Sequence, residues 1–153
     1  SCSRCPGRPP HFDKDKVGGD KFMMQIGTLS GNPVAAAAGL KTMEILRRDG
    51  QYEKLRAAGQ TLIDAFAKHL GDAGHAHQAM GEQALFDIFF LDKPAQNYRD
   101  LVKADAAKSN VLNAELRKHG VFKSPSKMYI SLALTDEDLA ETVEAIAESA
   151  RAL

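Results

Sequence analysis

The stretch Gly27-Thr28-Leu29-Ser30-Gly31-Asn32-Pro33 has residue types that can hold an anion. Two hydroxyls, Thr28 and Ser30, lie between glycines that let a ligand approach the backbone closely. Asn32 is a strong helix N-cap, because its side-chain oxygen accepts orphan N–H groups of the first turn. Pro33 then falls at the first helical position, where its missing N–H costs nothing and its fixed φ suits the helix. Hydroxyls, small residues and a helix N-terminus together suit a phosphate. The same residues also describe an ordinary capped helix start.

The other chemistry-bearing residues form weaker constellations. Cys2 and Cys5 make a C-x-x-C, but a structural zinc site takes four ligands and only His11 lies near enough to help. A thioredoxin-type motif would open a helix, which Pro9-Pro10 does not suggest. Residues 1–11 are therefore expected to form an irregular tail. His75-x-His77 has no Cys or carboxylate at a spacing that completes a metal site, so both are expected as solvated loop residues. Asp87 interrupts the apolar run Leu85–Leu91 and is expected to be partly exposed or near a sheet edge, with no identifiable partner for acid–base work. Lys14, Lys16 and Lys21 are expected in a solvated leader, and Arg99, Arg117 and Lys123 on the solvated surface.

These residues must be positioned by one ordinary domain, since 153 residues can bury a real core. Twenty Lys and Arg balance 20 Asp and Glu, which argues against a nucleic-acid footprint. No apolar run approaches the length of a membrane span, so a soluble intracellular protein is expected. Alanines with Leu40, Met43 and Ile45-Leu46 predict a helix from Pro33 to about Arg48. Tyr52, Leu55, Leu62, Phe66 and Leu70 predict a second, closed by Gly71. Strands follow around Ala79–Ala84 and Leu85–Leu91, with Phe86, Ile88 and Phe90 on one apolar face. A third helix runs from Tyr98 or Leu101 to His119, with Leu101, Ala104, Val111, Leu112 and Leu116 inward and Gly120 as its stop. Val121–Lys123 reads as a short strand, Ser124-Pro125-Ser126 as a turn, and Met128, Ile130 and Leu132 as alternating strand positions. Thr135 caps the last helix, with Asp138 at the capping-box position. The fold class is α+β: a small, mostly antiparallel sheet covered by helices.

From Phe12 onward the order of motifs is specific. Phe12-Asp13-Lys14, Phe22–Ile26, Gly27–Pro33 and the small-residue helix Val34–Leu46 resemble the class III (fold type I) pyridoxal-phosphate-dependent aminotransferases. The likeness is greatest to their glutamate-1-semialdehyde aminomutase-like branch. Gly120-Val121-Phe122, Pro125, and Ile130-Ser131-Leu132-Ala133 leading to Thr135-Asp136-Glu137-Asp138 resemble the family's closing signature. Leu134 stands where that signature usually has histidine.

The resemblance implies that residues 12–32 end a large cofactor domain and that 33–153 form a connecting helix and the small C-terminal domain. It implies pyridoxal phosphate as cofactor, with Thr28 donating to the cofactor phosphate of the neighbouring subunit and Gly27 allowing close approach. It also implies a cytoplasmic homodimer that moves an amino group on an amino acid or an amino-ketone or aldehyde. The family's Schiff-base lysine and acidic pyridine partner precede the loop, on segments absent from this sequence. The chain is thus expected to be a C-terminal piece, inactive alone, with an apolar patch exposed around Ala35–Met43. The alternative is a non-catalytic module that dimerises or binds a phosphorylated ligand through the same loop.

Overall fold

The computed structural model describes residues 31–153. The chain divides into two compact units, Ser1–Ile45 and Leu46–Leu153. In the first, helix α1 (Pro33–Leu46) has no buried residue. Val34 and Leu40 are 77% and 74% exposed, so the expected apolar exposure around Ala35–Met43 is present. The helix stops at Leu46, and Arg47 and Arg48 fall in the turn that follows instead of its last turn.

In the second unit α2 (Gln51–Asp72) precedes the antiparallel hairpin β1 (Gln78–Glu82) and β2 (Leu85–Phe89). A short α3 (Tyr98–Leu101), α4 (Ala106–Lys118), the two-residue β3 (Met128–Tyr129) and α5 (Asp136–Arg151) complete it. The sheet order is β1-β2-β3, antiparallel throughout, so the expected α+β class holds with β2 in the middle. Phe86, Ile88 and Phe90 share one face, as the alternation predicts, and are 2–4% exposed. They pack with Leu62, Phe66 and Leu70 of α2, Leu112 and Leu116 of α4, and Ile146 of α5. Phe66 meets Phe86 edge-on, with ring centroids 6.4 Å apart, a geometry the ring quadrupoles favour.

Two helices end in the same way. Past α2, the His75 N–H bonds Leu70 O and the Gly74 N–H bonds Gly71 O, with Gly74 at φ +78°. Past α4, the Val121 N–H bonds Leu116 O and the Gly120 N–H bonds Arg117 O, with Gly120 at φ +82°. Both are Schellman endings, in which glycine takes the left-handed position. Gly120 is the stop the sequence predicts. Gly71 is not, because the helix continues through it to Asp72 and Gly74 takes that role.

Three further expectations change. The third helix is two, because Asn97 caps α3 through the Arg99 N–H and Asp105 caps α4 through the Lys108 N–H. Val111 is 45% exposed, and Asn113 takes a buried place beside Leu112 and Leu116. Val121–Lys123 is no strand: the Schellman bonding draws Val121 to α4, and pairing resumes only at the Ser124–Lys127 bridge and β3.

α5 opens with the predicted capping box. Thr135 N–H donates to Asp138 Oδ2 at 2.8 Å, and the Asp138 N–H donates to Thr135 Oγ1 at 3.1 Å. The Thr135 backbone N–H, followed by its hydroxyl, holds the Asp138 carboxyl below the usual aspartate value. A depressed folded pKa means that the cap's contribution is complete above the ordinary aspartate value of about 3.9 and is lost as pH falls through the lowered one. Carboxyl NMR titration is expected to place the Asp138 midpoint below that value, with Thr135→Ala moving it up. A midpoint at or above the ordinary value would contradict the cap.

Candidate functional site

The phosphate-suited loop is described from Gly31, whose φ of +79° is left-handed. Asn32 behaves as its position predicts: Oδ1 accepts from the Val34 N–H at 2.9 Å and from the Ala35 N–H at 3.1 Å. Its carbonyl accepts from the Ala36 N–H at 2.9 Å. Since Pro33 has no N–H, the first turn of α1 keeps no spare donor. An anion at this junction must therefore draw its hydrogen bonds from the amides of Asn32 or from residues ahead of it. The sequence-predicted contacts Gly27 and Thr28 lie outside the described residues, as do Cys2, Cys5, His11, Lys14, Lys16 and Lys21.

In the second unit the charged residues sort differently from expectation. Arg99 and Arg117 are exposed, but Lys123 is buried, with a side chain only 3% exposed. Its Nζ lies 2.6 Å from Oδ1 of Asp87, itself buried on the middle strand and not at an edge. The physical reason is that Asp87 lies on the middle strand, 7% exposed, with most of its carboxylate removed from water. A buried carboxylate then requires a counter-charge. The Nζ–Oδ1 contact is close enough for an ion pair but is not aligned as a hydrogen bond, and Oδ1 has no other donor. Lys123 Nζ also donates to Ser124 O at 3.2 Å.

His75 and His77 are half-buried, not solvated. Lys108 Nζ lies 2.8 Å from His75 Nδ1, and since an ammonium only donates, Nδ1 accepts and the imidazole proton sits on Nε2. Both side chains meet the Phe90 ring, Lys108 at 5.2 Å from its centroid and His75 edge-on. His77 Nδ1 is 2.8 Å from His75 O. No group of three or more His, Cys, Asp or Glu is placed to hold a metal ion among the described residues. The adjoining open cavity, about 630 Å³, sets Lys93, Lys103 and Lys108 against Asp92, Asp100 and Asp105. Asp100 is held low by the Gln96 N–H and then by Lys103, and Asp105 is spent on its cap. Its charges cancel, and neither Asp100 nor Asp105 is free for acid–base work.

No protein-family model matches the chain. Solved structures do. The FumI protein of Sphingopyxis sp. MTA144, in its pyridoxal-phosphate internal-aldimine form, is 27% identical with a TM-score of 0.66. The match covers 85% of this chain and 29% of that one. An omega-transaminase from Sphaerobacter thermophilus is 24% identical with a TM-score of 0.67, over 93% of this chain and 32% of that one. A transaminase with pyridoxal phosphate bound matches at 23% identity and a TM-score of 0.67, covering 94% and 33%. The fold is that of the transaminase C-terminal domain. The chain spans about a third of the length of these structures. No helix among the described residues is long and apolar enough to cross a membrane.

The Asp87–Lys123 pair escaped the sequence because its members lie far apart in the chain and neither sits in a motif. The one usable signal was a lone carboxylate inside an apolar strand, which physically demands a partner somewhere. Asp87→Asn is expected to cost about 3–5 kcal/mol in urea unfolding, because it leaves the Lys123 charge buried and unpaired. The double change Asp87→Leu with Lys123→Met is expected to be near neutral, since it removes both charges at similar volume. A single change as mild as breaking an exposed surface pair would contradict the burial argument.

Proposed function

We propose that the chain is the C-terminal part of a class III pyridoxal-phosphate-dependent aminotransferase of the glutamate-1-semialdehyde aminomutase-like branch, acting as a cytoplasmic homodimer. The supporting observation is a coincidence: the fold matches transaminases that carry pyridoxal phosphate, and the Gly27–Pro33 loop stands directly ahead of α1. Residues 12–32 then close the large cofactor domain, and 33–153 form the connecting helix and small domain.

Thr28 donates its hydroxyl to the phosphate of the neighbouring subunit's cofactor, and Gly27 leaves room for the approach. The described junction fits this assignment. Asn32 and Pro33 leave α1 no free donor, so the loop's hydroxyl and amides must make the contact, and such groups bind a dianion without a lysine. Pyridoxal phosphate, when bound, supplies the electron sink for moving an amino group on an amino acid or an amino-ketone or aldehyde. The chain's own part is to bind and orient the phosphate, with no catalytic residue assigned to it.

Calorimetry with pyridoxine 5′-phosphate tests this, because that molecule has the phosphate but no aldehyde to react with surface lysines. Thr28→Val keeps the shape and removes the hydroxyl. It is expected to weaken binding about tenfold, the worth of one hydrogen bond to a charged group. Equal affinities for the two chains would remove Thr28 from the account.

A further inference from the structure

The turn between α1 and α2 contains the chain's single Asp–Gly step, Asp49-Gly50, and the sequence has no Asn–Gly step. Both residues are exposed. Among the described residues the Asp49 carboxylate has no hydrogen-bond or ion-pair partner, and the Gly50 N–H has no acceptor. The backbone on either side is engaged: the Gln51 N–H bonds Arg48 O at 3.3 Å, and Gly50 O accepts from the Lys54 N–H at 2.9 Å. Gly50 takes the N-cap position of α2 at φ +78°, without a side-chain cap. A Cβ built on it would meet nothing within 4 Å, so the space around this step is open.

These features suit one reaction. A backbone nitrogen can attack the side-chain carbon of the preceding aspartate when that nitrogen is unengaged and its own residue has no Cβ to obstruct the approach. We propose that Asp49 is a site of isoaspartate formation, and so a substrate site for a protein carboxyl methyltransferase. Gly50 N bonds to Asp49 Cγ, a carboxyl C–O bond breaks, and the amide proton leaves with the hydroxyl as water. The cyclic imide then takes up one water at the Asp49 backbone carbonyl, and the bond from that carbonyl to Gly50 N breaks. The main chain now runs through Cγ and is longer by one methylene, while the former backbone carbonyl becomes a free α-carboxylate. That carboxylate is the group such a methyltransferase esterifies with S-adenosylmethionine. The other aspartates lack at least one requirement. Asp92 is exposed but is followed by Lys93, and after Asp72 the Ala73 N–H is bonded to His69 O at 3.1 Å. The site does not depend on the assignment of the phosphate loop.

The test is to incubate the full chain near neutral pH for several weeks, in buffer and in guanidinium chloride. Isoaspartate is then counted at each position by peptide mapping with electron-transfer fragmentation. Asp49 is expected to convert about tenfold more than Asp72 or Asp92, a barrier lower by about 1.4 kcal/mol, and at a similar rate folded and unfolded. Methyl label from S-adenosylmethionine and the methyltransferase is expected on the same peptide. It should be lost there in Asp49→Glu, whose cyclic imide would need a less favourable six-membered ring. Equal conversion at Asp49 and Asp92 would remove the glycine from the argument, and conversion about tenfold slower in the folded chain than in the unfolded one would show a protected turn. Either result overturns the proposal, as does an Asp49 peptide that converts but takes no methyl label.

Discussion

A carboxylate buried on the middle strand of a small sheet requires a counter-charge, and the course of the chain after α4 answers that constraint. Asp87 sits buried on β2, and Lys123 comes from the segment beyond Gly120 to neutralise it at 2.6 Å. Because the partner must arrive at that point, the pair ties residues 120–127 to the sheet. β3 then needs only two residues of pairing to hold its edge, Leu85 with Tyr129 and Phe86 with Met128. Removing one member should be far worse than removing both, which is the mark of a charge tolerated for the geometry it enforces.

Around that tie the domain solves an ordinary packing problem. A three-stranded sheet cannot bury its own apolar face, so α2, α4 and α5 must cover Phe86, Ile88 and Phe90. Close approach is built in at Gly59 of α2, where a Cβ would collide with the Gln83 carbonyl at the hairpin turn. Two Schellman endings, at Gly74 and Gly120, turn the chain off α2 towards β1 and off α4 towards Lys123. The glycines at these points are therefore geometric requirements, not spacers.

Sequence reasoning succeeded where the physics is local. Asn32, the Thr135–Asp138 box and Gly120 act on backbone groups within a few residues, and each does what its spacing predicts. The Phe86, Ile88, Phe90 face was legible for the same reason, since strand alternation is a property of neighbours. Failures came where a competing local signal or a distant partner decided. Gly71 and Gly74 both offer a helix stop, and the bonding chose Gly74. Asp105 falls inside the single helix expected from Tyr98 or Leu101 to His119 but caps a new helix. Val121–Lys123 has strand composition yet no strand beside it, and the burial of Lys123 depends on a residue on β2. The candidate phosphate contacts Gly27 and Thr28 rest on a motif of which only the Gly31–Pro33 end is described.

We propose that this sequence is one part of a cofactor enzyme whose loop serves a neighbouring subunit. The transaminases it matches are about three times its length, and the exposed face of α1 is consistent with a helix made to be covered. Intact mass spectrometry and a visible spectrum of the protein isolated from its natural source test this most directly. The expected result is a polypeptide about three times the mass of this chain, assembled as a dimer and coloured by bound pyridoxal phosphate. A polypeptide of this chain's own mass, or a longer one that binds no pyridoxal phosphate, would contradict it.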